Sequence, residues 1–149
     1  MTHLKAGDKA PVFSGTDQAG NPIDSGSFAG KKIVLYFYPK DNTPGCTAEA
    51  CNLRDNHEDL LQKGYTVIGV SPDNLQSHLK FSEKYQLPFP LIPDPDKKII
   101  SAFGVWGPKK FMGKSFDGVH RTTFVIDEYG FIEKIIEQVN TKNHSSQII

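Results

Sequence analysis

The stretch Ile33-Val34-Leu35-Tyr36-Phe37-Tyr38-Pro39-Lys40-Asp41-Asn42-Thr43-Pro44-Gly45-Cys46-Thr47-Ala48-Glu49-Ala50-Cys51 joins a β-type run to a helix-type run and carries both cysteines of the chain. Ile33–Tyr38 barely alternates between apolar and polar, as expected of a strand covered on both faces. Thr43 is a natural N-cap residue and Pro44 suits the first helical position. Cys46 then falls in the first helical turn. Free backbone N–H groups and the positive end of the helix dipole favour a thiolate there. Cys51 follows five residues later. On an ideal helix that spacing gives about 7.5 Å of rise and roughly 140° of rotation, so the Cα atoms stand about 8–9 Å apart. A disulfide tolerates about 7 Å. Two alternatives stay open: the cysteines never pair, or the helix unwinds when they do.

Working outward, the pattern is strand, helix, strand, helix, strand, helix, strand, strand. The expected elements are a helix from Pro44 to about Lys63, a strand over Tyr65–Val70 and a helix over Asp73–Tyr85 capped by Ser71 or Asp73. A short strand follows at Phe89–Ile92 and a short helix at Lys98–Phe103. Arg121–Asp127 and Phe131–Val139 pair around Glu128-Tyr129-Gly130. Residues 1–30 read as an added hairpin turning at Ala19-Gly20-Asn21, and the polar tail after Asn140 reads as frayed. These βαβ units followed by a hairpin predict the α/β class: a thioredoxin-like three-layer sandwich with an N-terminal β-hairpin extension, formed by residues 1–149 as one domain.

Composition narrows the function. At 149 residues, with 38% hydrophobic and 23% charged residues, the chain is long enough for a core and is neither disordered nor membrane-like. Its formal net charge of zero gives no support to nucleic-acid or anionic-membrane binding. Met1-Thr2-His3-Leu4-Lys5 has no apolar signal region, so a cytoplasmic location is expected. In a reducing compartment, two cysteines favour redox or catalytic work over a structural bridge. Gly107-Pro108-Lys109-Lys110-Phe111-Met112-Gly113-Lys114-Ser115 imitates a phosphate-binding loop, but with five residues between its glycines where that motif has four. Histidines 3, 57, 78, 120 and 144 are scattered, so no metal site is expected.

Pro39-x-x-x-Thr43-x-x-Cys46 resembles the peroxiredoxin signature, and the string through Cys51 resembles the bacterioferritin-comigratory or Q branch. Lys5–Phe13, Gly69–Asp73, Leu91–Asp94, Phe103–Trp106 and His120–Asp127 resemble further landmarks of that family in the same order. The resemblance implies that Cys46 attacks hydrogen peroxide or an organic hydroperoxide, that Cys51 resolves the product as an intramolecular disulfide, and that thioredoxin restores the thiols. It implies no cofactor and a monomer or weak dimer. Thr43 is either only a cap or also aims its hydroxyl at the reacting atoms, and Pro39 shields the pocket from water. Arg121, by position alone equally readable as a surface residue, is implied to bind the peroxide and face the sulfur. Glu49 is implied to orient Arg121, with an exposed helical glutamate as the alternative, and Arg54 is read as a surface ion pair. A thiol–disulfide oxidoreductase or redox sensor on the same fold remains the competing function.

Overall fold

The computed structural model describes residues 2–149, without the side chain of Phe111. Strands β1 (Ser14–Thr16) and β2 (Pro22–Asp24) pair as the N-terminal hairpin. Its turn is tied by Asp17 Oδ1, which accepts from the N–H groups of Ala19 and Asn21 at 2.9 Å each. Then come β3 (Lys32–Phe37), α1 (Pro44–Asp55), α2 (His57–Gln62), β4 (Tyr65–Ser71), α3 (Leu75–Tyr85), β5 (Leu91–Pro93) and α4 (Lys98–Ala102). A second hairpin, β6 (Trp106–Phe111) with β7 (Lys114–Val119), precedes β8 (Thr122–Ile126), β9 (Ile132–Ile136) and α5 (Ser145–Ile148). The central sheet has the order β5-β4-β3-β8-β9. Strands β3, β4 and β5 are parallel, β8 is antiparallel to β3, and β9 is antiparallel to β8.

Strand β3 lies at the centre, and its two-residue period explains the layers. Ile33, Leu35 and Phe37 face one core with Phe13, Ile100, Phe103 and Phe124. Val34, Tyr36 and the following Tyr38 face the other, with Cys46, Ala50 and Leu53 of α1, Leu60 of α2, Phe81 of α3 and Ile148 of α5. The sheet is thus sandwiched between α1, α2, α3 and α5 on one side and α4 with the N-terminal hairpin on the other. The expected three-layer arrangement is present, with the hairpin extension in place. Gly69 pairs with Tyr36, and a Cβ there would stand 2.9 Å from the Tyr36 ring and 2.8 Å from Leu91. The tyrosine occupies the space that a side chain at 69 would need.

Several boundaries differ from the sequence-based expectation. The helix expected to run to Lys63 breaks at Asn56, where φ is −112° and ψ is 12°, so α2 is a separate element. Asn56 Nδ2 donates to the Asn52 carbonyl at 2.8 Å, competing with the Asn56 N–H, which reaches the same oxygen at 3.2 Å. Helix α3 is capped by Asn74, not by Ser71 or Asp73: Asn74 Oδ1 accepts from Ser77 N–H at 2.9 Å. The β6–β7 hairpin occupies the segment compared above with a phosphate loop. The tail is not frayed. His144 and Ser145 are buried, and Asn52 of α1 holds the segment through Lys142 O (3.2 Å) and Ser145 N–H (2.8 Å).

Candidate active site

The sheet places Cys46 where β3 hands the chain to α1. After β3, Tyr38 N–H still donates to Val70 O at 3.1 Å, then half-buried Pro39 ends the ladder. The loop is fixed from below by buried Asp41. Asp41 accepts from Tyr38 Oη (2.6 Å), Ser77 Oγ (2.8 Å) and His78 Nδ1 (2.7 Å), while its N–H donates to Asp73 Oδ2 (2.8 Å). Asp41, Asp73 and His78 bring potential ligand atoms within 4.8 Å of one another. Hydrogen bonds already engage them: Asp41 Oδ2 serves Ser77 and His78, and Asp73 Oδ2 serves Asp41 and Ser71. Their arrangement anchors the loop. Nothing in the sequence pattern had tied Asp41 to His78, 37 positions away.

Thr43 holds the N-cap position with extended φ and ψ, but its side chain makes no capping bond. Its hydroxyl donates instead to Lys40 O at 2.9 Å, inside the loop. The expectation of a capping side chain is therefore corrected: the bond to Lys40 O turns the hydroxyl toward the loop, and its oxygen accepts from no helical N–H. The first helical bond runs from Thr47 N–H to Thr43 O at 2.8 Å, which leaves the amides of Gly45 and Cys46 outside the helical ladder.

Cys46 is buried, with 1% exposure, and both cysteines are free thiols. Arg121, just before β8, crosses 75 positions of sequence to reach it: Nη2 lies 3.2 Å from Cys46 Sγ. The other arm, Nη1, donates to Glu49 Oε1 at 2.7 Å. One guanidinium thus spans sulfur and carboxylate with its rigid fork. Burial works against the Arg121 charge, but the charges of Glu49 and Cys46 outweigh it and hold its pKa above the usual value. Glu49 is fully buried, and burial pushes its carboxyl up to about 7 against the pull of Arg121. The exposed alternative for Glu49 and the surface alternative for Arg121 are both excluded.

Gly45 makes this approach feasible. A Cβ at position 45 would stand 3.2 Å from Arg121 Nη2, tighter than ordinary contact. Two further groups were not legible in the sequence. Lys109, on β6, donates from Nζ to Val119 O at 2.8 Å. Burial and then the Arg121 charge lower its pKa, opposed by Cys46, so the second hairpin adds a cation to this site. Tyr36, beneath α1, has its pKa raised by burial first and then by Glu49 and Cys46.

Cys51 is half-buried on α1, and the helix is continuous through both cysteines. The premise of the spacing argument holds: the two are on one intact helix. Arg54 pairs with Asp55 at 2.9 Å as expected, and its Nη1 also donates to Tyr85 O at 2.8 Å, tying α1 to the end of α3.

A thiol in the first turn of a helix, met by a half-buried arginine that a carboxylate holds in place, suits attack on a polarised oxygen. The model of the AhpC/TSA family matches residues 6–135. The chain belongs to the AhpC/TSA family of peroxiredoxins. Peroxiredoxin Bcp of Escherichia coli K12 is 46% identical over 149 residues, all of this chain and 96% of that protein. The crystal structure of peroxidoxin BcpB from Mycobacterium tuberculosis superposes with a TM-score of 0.85 at 33% identity, covering 97% of this chain and 94% of that one. A structure of the Xanthomonas campestris bacterioferritin comigratory protein, concerned with alkyl peroxide reduction by that protein, gives 0.84 at 30% identity, covering 99% of this chain and 94% of that one. This peroxiredoxin is accordingly a thiol-dependent peroxidase of the Bcp or Q branch. Among the described residues, no helix is long and apolar enough to cross a membrane.

Proposed function

We propose that Cys46 is the peroxidatic nucleophile and Cys51 its resolving partner. The observation that carries this reading is the Arg121 fork, 3.2 Å from Cys46 Sγ and 2.7 Å from Glu49 Oε1. The Cys46 thiolate attacks the terminal oxygen of hydrogen peroxide or an alkyl hydroperoxide. An S–O bond forms, the O–O bond breaks, and the leaving oxygen takes up a proton as water or alcohol. The guanidinium stabilises charge on the attacked oxygens. Lys109 adds positive potential from the side. Thr43, with its hydroxyl proton committed to Lys40 O, offers its oxygen as an acceptor for the peroxide O–H. Pro39 limits water near the sulfur.

Cys46 is then a sulfenic acid. The first turns of α1 unwind, the Cys51 thiolate attacks the Cys46 sulfur, and hydroxide leaves and is protonated to water as the disulfide forms. Thioredoxin, supplying two thiols, reduces that disulfide by exchange. The enzyme works as a cytoplasmic, single-domain monomer.

A coupled assay with thioredoxin, its reductase and either peroxide tests the scheme. Wild type should turn over continuously. Cys46→Ser should consume no peroxide, because a serine hydroxyl is not ionised near neutral pH. Cys51→Ser should consume one equivalent and stop. Sustained turnover by Cys46→Ser would sink the assignment, and slow peroxide consumption with rapid disulfide exchange would favour an oxidoreductase instead.

A further inference from the structure

The Glu49 carboxylate has two oxygens, and only one is accounted for by Arg121. Glu49 Oε2 is buried and has no hydrogen-bond partner among the described residues. Facing it at 3.5 Å is Nε2 of His144, from the tail, and both side chains are fully buried. The rest of the His144 environment fixes where its protons are. Gln147 Oε1 lies 2.8 Å from His144 Nδ1. The orientation of that amide is settled by its neighbours: Oε1 accepts from Asn140 N–H, and Nε2 donates to Gln138 O, each at 2.8 Å. An amide oxygen only accepts, so His144 Nδ1 carries a hydrogen. Nε2 is left with a lone pair in the neutral ring, which accepts from the Thr123 hydroxyl at 2.7 Å.

With that lone pair taken by Thr123, Nε2 gives Glu49 Oε2 no donor, and an ionised oxygen without a donor in a dry site is disfavoured. A proton on the Glu49 carboxyl removes the uncompensated charge. We propose that His144 is a positioning residue for the peroxidase reaction: by presenting Glu49 Oε2 with an edge that donates nothing, it keeps that carboxyl protonated and leaves the Arg121 charge directed at Cys46. The inference rests on the assignment of Cys46 as nucleophile. Without that proton, sulfur and carboxylate are two anions competing for one guanidinium.

The charged and titratable groups around the pair are few. Arg121 approaches from the start of β8, Cys46 lies one turn earlier on α1, Tyr36 rises from β3, and Lys109 acts from β6 on Arg121 and Cys46. Burial raises Glu49 to about 7 and lowers His144, so both shifts hold the proton on the carboxyl side below neutrality.

Two measurements test this. Imidazole ¹⁵N NMR of the reduced protein should report the Nδ1–H form of His144, with one step near neutral pH that disappears in Glu49→Gln. The second is a double-mutant cycle on the rate of sulfenic acid formation at a pH of about 6, chosen to lie below the Glu49 value of about 7. His144→Gln places an amide donor against Oε2, stabilises the carboxylate, and should slow the reaction about tenfold. In the Glu49→Gln background the same change should alter the rate by less than about twofold. Additive effects, or a His144 titration unchanged in Glu49→Gln, would overturn the proposal. If Cys46 is not the nucleophile, the rate measurement fails in wild type while the NMR step remains.

Discussion

Helices α1 and α3 follow consecutive parallel strands, pack on the same face of the sheet, and are nearly equal in length, at 12 and 11 residues. Their starts are built differently. Asn74 caps α3 through its side chain, and Gln86 closes it in the left-handed conformation, with φ at 52°. Helix α1 begins with Thr43, whose side chain is turned to the loop, then Pro44 and Gly45. Its first turn contains Gly45, whose backbone freedom weakens a helix start. One helix is fastened by a side chain where it begins, and the other has no side-chain cap where Cys46 sits.

The largest effect that bears on this contrast is electrostatic. Arg121→Ala removes the group that holds Cys46 and Glu49 together. Peroxide attack should slow by about 10²-fold or more, as for loss of one preorganised donor, measured by stopped flow. A rate within a factor of about two would mean that the fork is structural only.

Glu49→Gln should sharpen the comparison through pH. The folded-state value of Glu49, about 7, lies above its ordinary 4.5, so folding favours the protonated form. That contribution is complete below the unfolded value and is lost as pH rises through about 7. Glutamine mimics the protonated carboxyl at every pH. Reduced wild type and Glu49→Gln should therefore be similarly stable in mild acid, and the variant should gain up to about 3 kcal/mol above neutrality. Urea unfolding at several pH values measures the gap. A gap that stays constant would contradict the raised value. His144, whose pKa is lowered by burial, contributes the opposite slope and is present in both proteins.

Hydrogen exchange compares the two helices directly. Oxidation to the disulfide should deprotect residues 44–51 and leave α3 unchanged, because the Cα separation on an intact helix exceeds what a disulfide spans. Equal protection in both redox states would mean that the cysteines do not pair within one chain.

The smallest effect concerns the caps themselves. Asn74→Ala should cost about 1 kcal/mol, the usual value of a side-chain cap, and Thr43→Ala clearly less. Matching losses would show that Thr43 supports α1 by a route other than capping.

What was legible in the sequence followed burial and period. The run Ile33–Tyr38 announced a central strand because both its faces are covered. The places where sequence reasoning failed are polar. Asn56 breaks a helix with a side-chain bond to Asn52 O, a choice that no glycine or proline signals. The β6–β7 hairpin lacked a pattern because most of β7 is exposed, so neither face of its alternation is marked as apolar. The tail looked frayed because it is hydrophilic, yet its polar groups are the ones that dock it. At the site, the position of Cys46 in the first helical turn was readable from the strand-to-helix junction alone. Arg121 and Glu49 came from family resemblance, since no local pattern links positions 75 and 72 residues apart. The nearness of Arg121 also gives Gly45 a reason that no local pattern signals.

The far end of α1 is tethered twice, by Asn52 to the tail and by Arg54 to Tyr85 O. An opening that starts at Pro44 frees Cys46 and Glu49 from Arg121 and then meets these tethers, the first at Asn52, one residue beyond Cys51. The two sulfurs therefore have unequal journeys. In the proposed disulfide step Cys51, next to the hinge, would stay near its place, while Cys46 would do the travelling and leave Arg121 behind. A reductant approaching the disulfide would find one sulfur on a swinging segment and the other against a fixed wall.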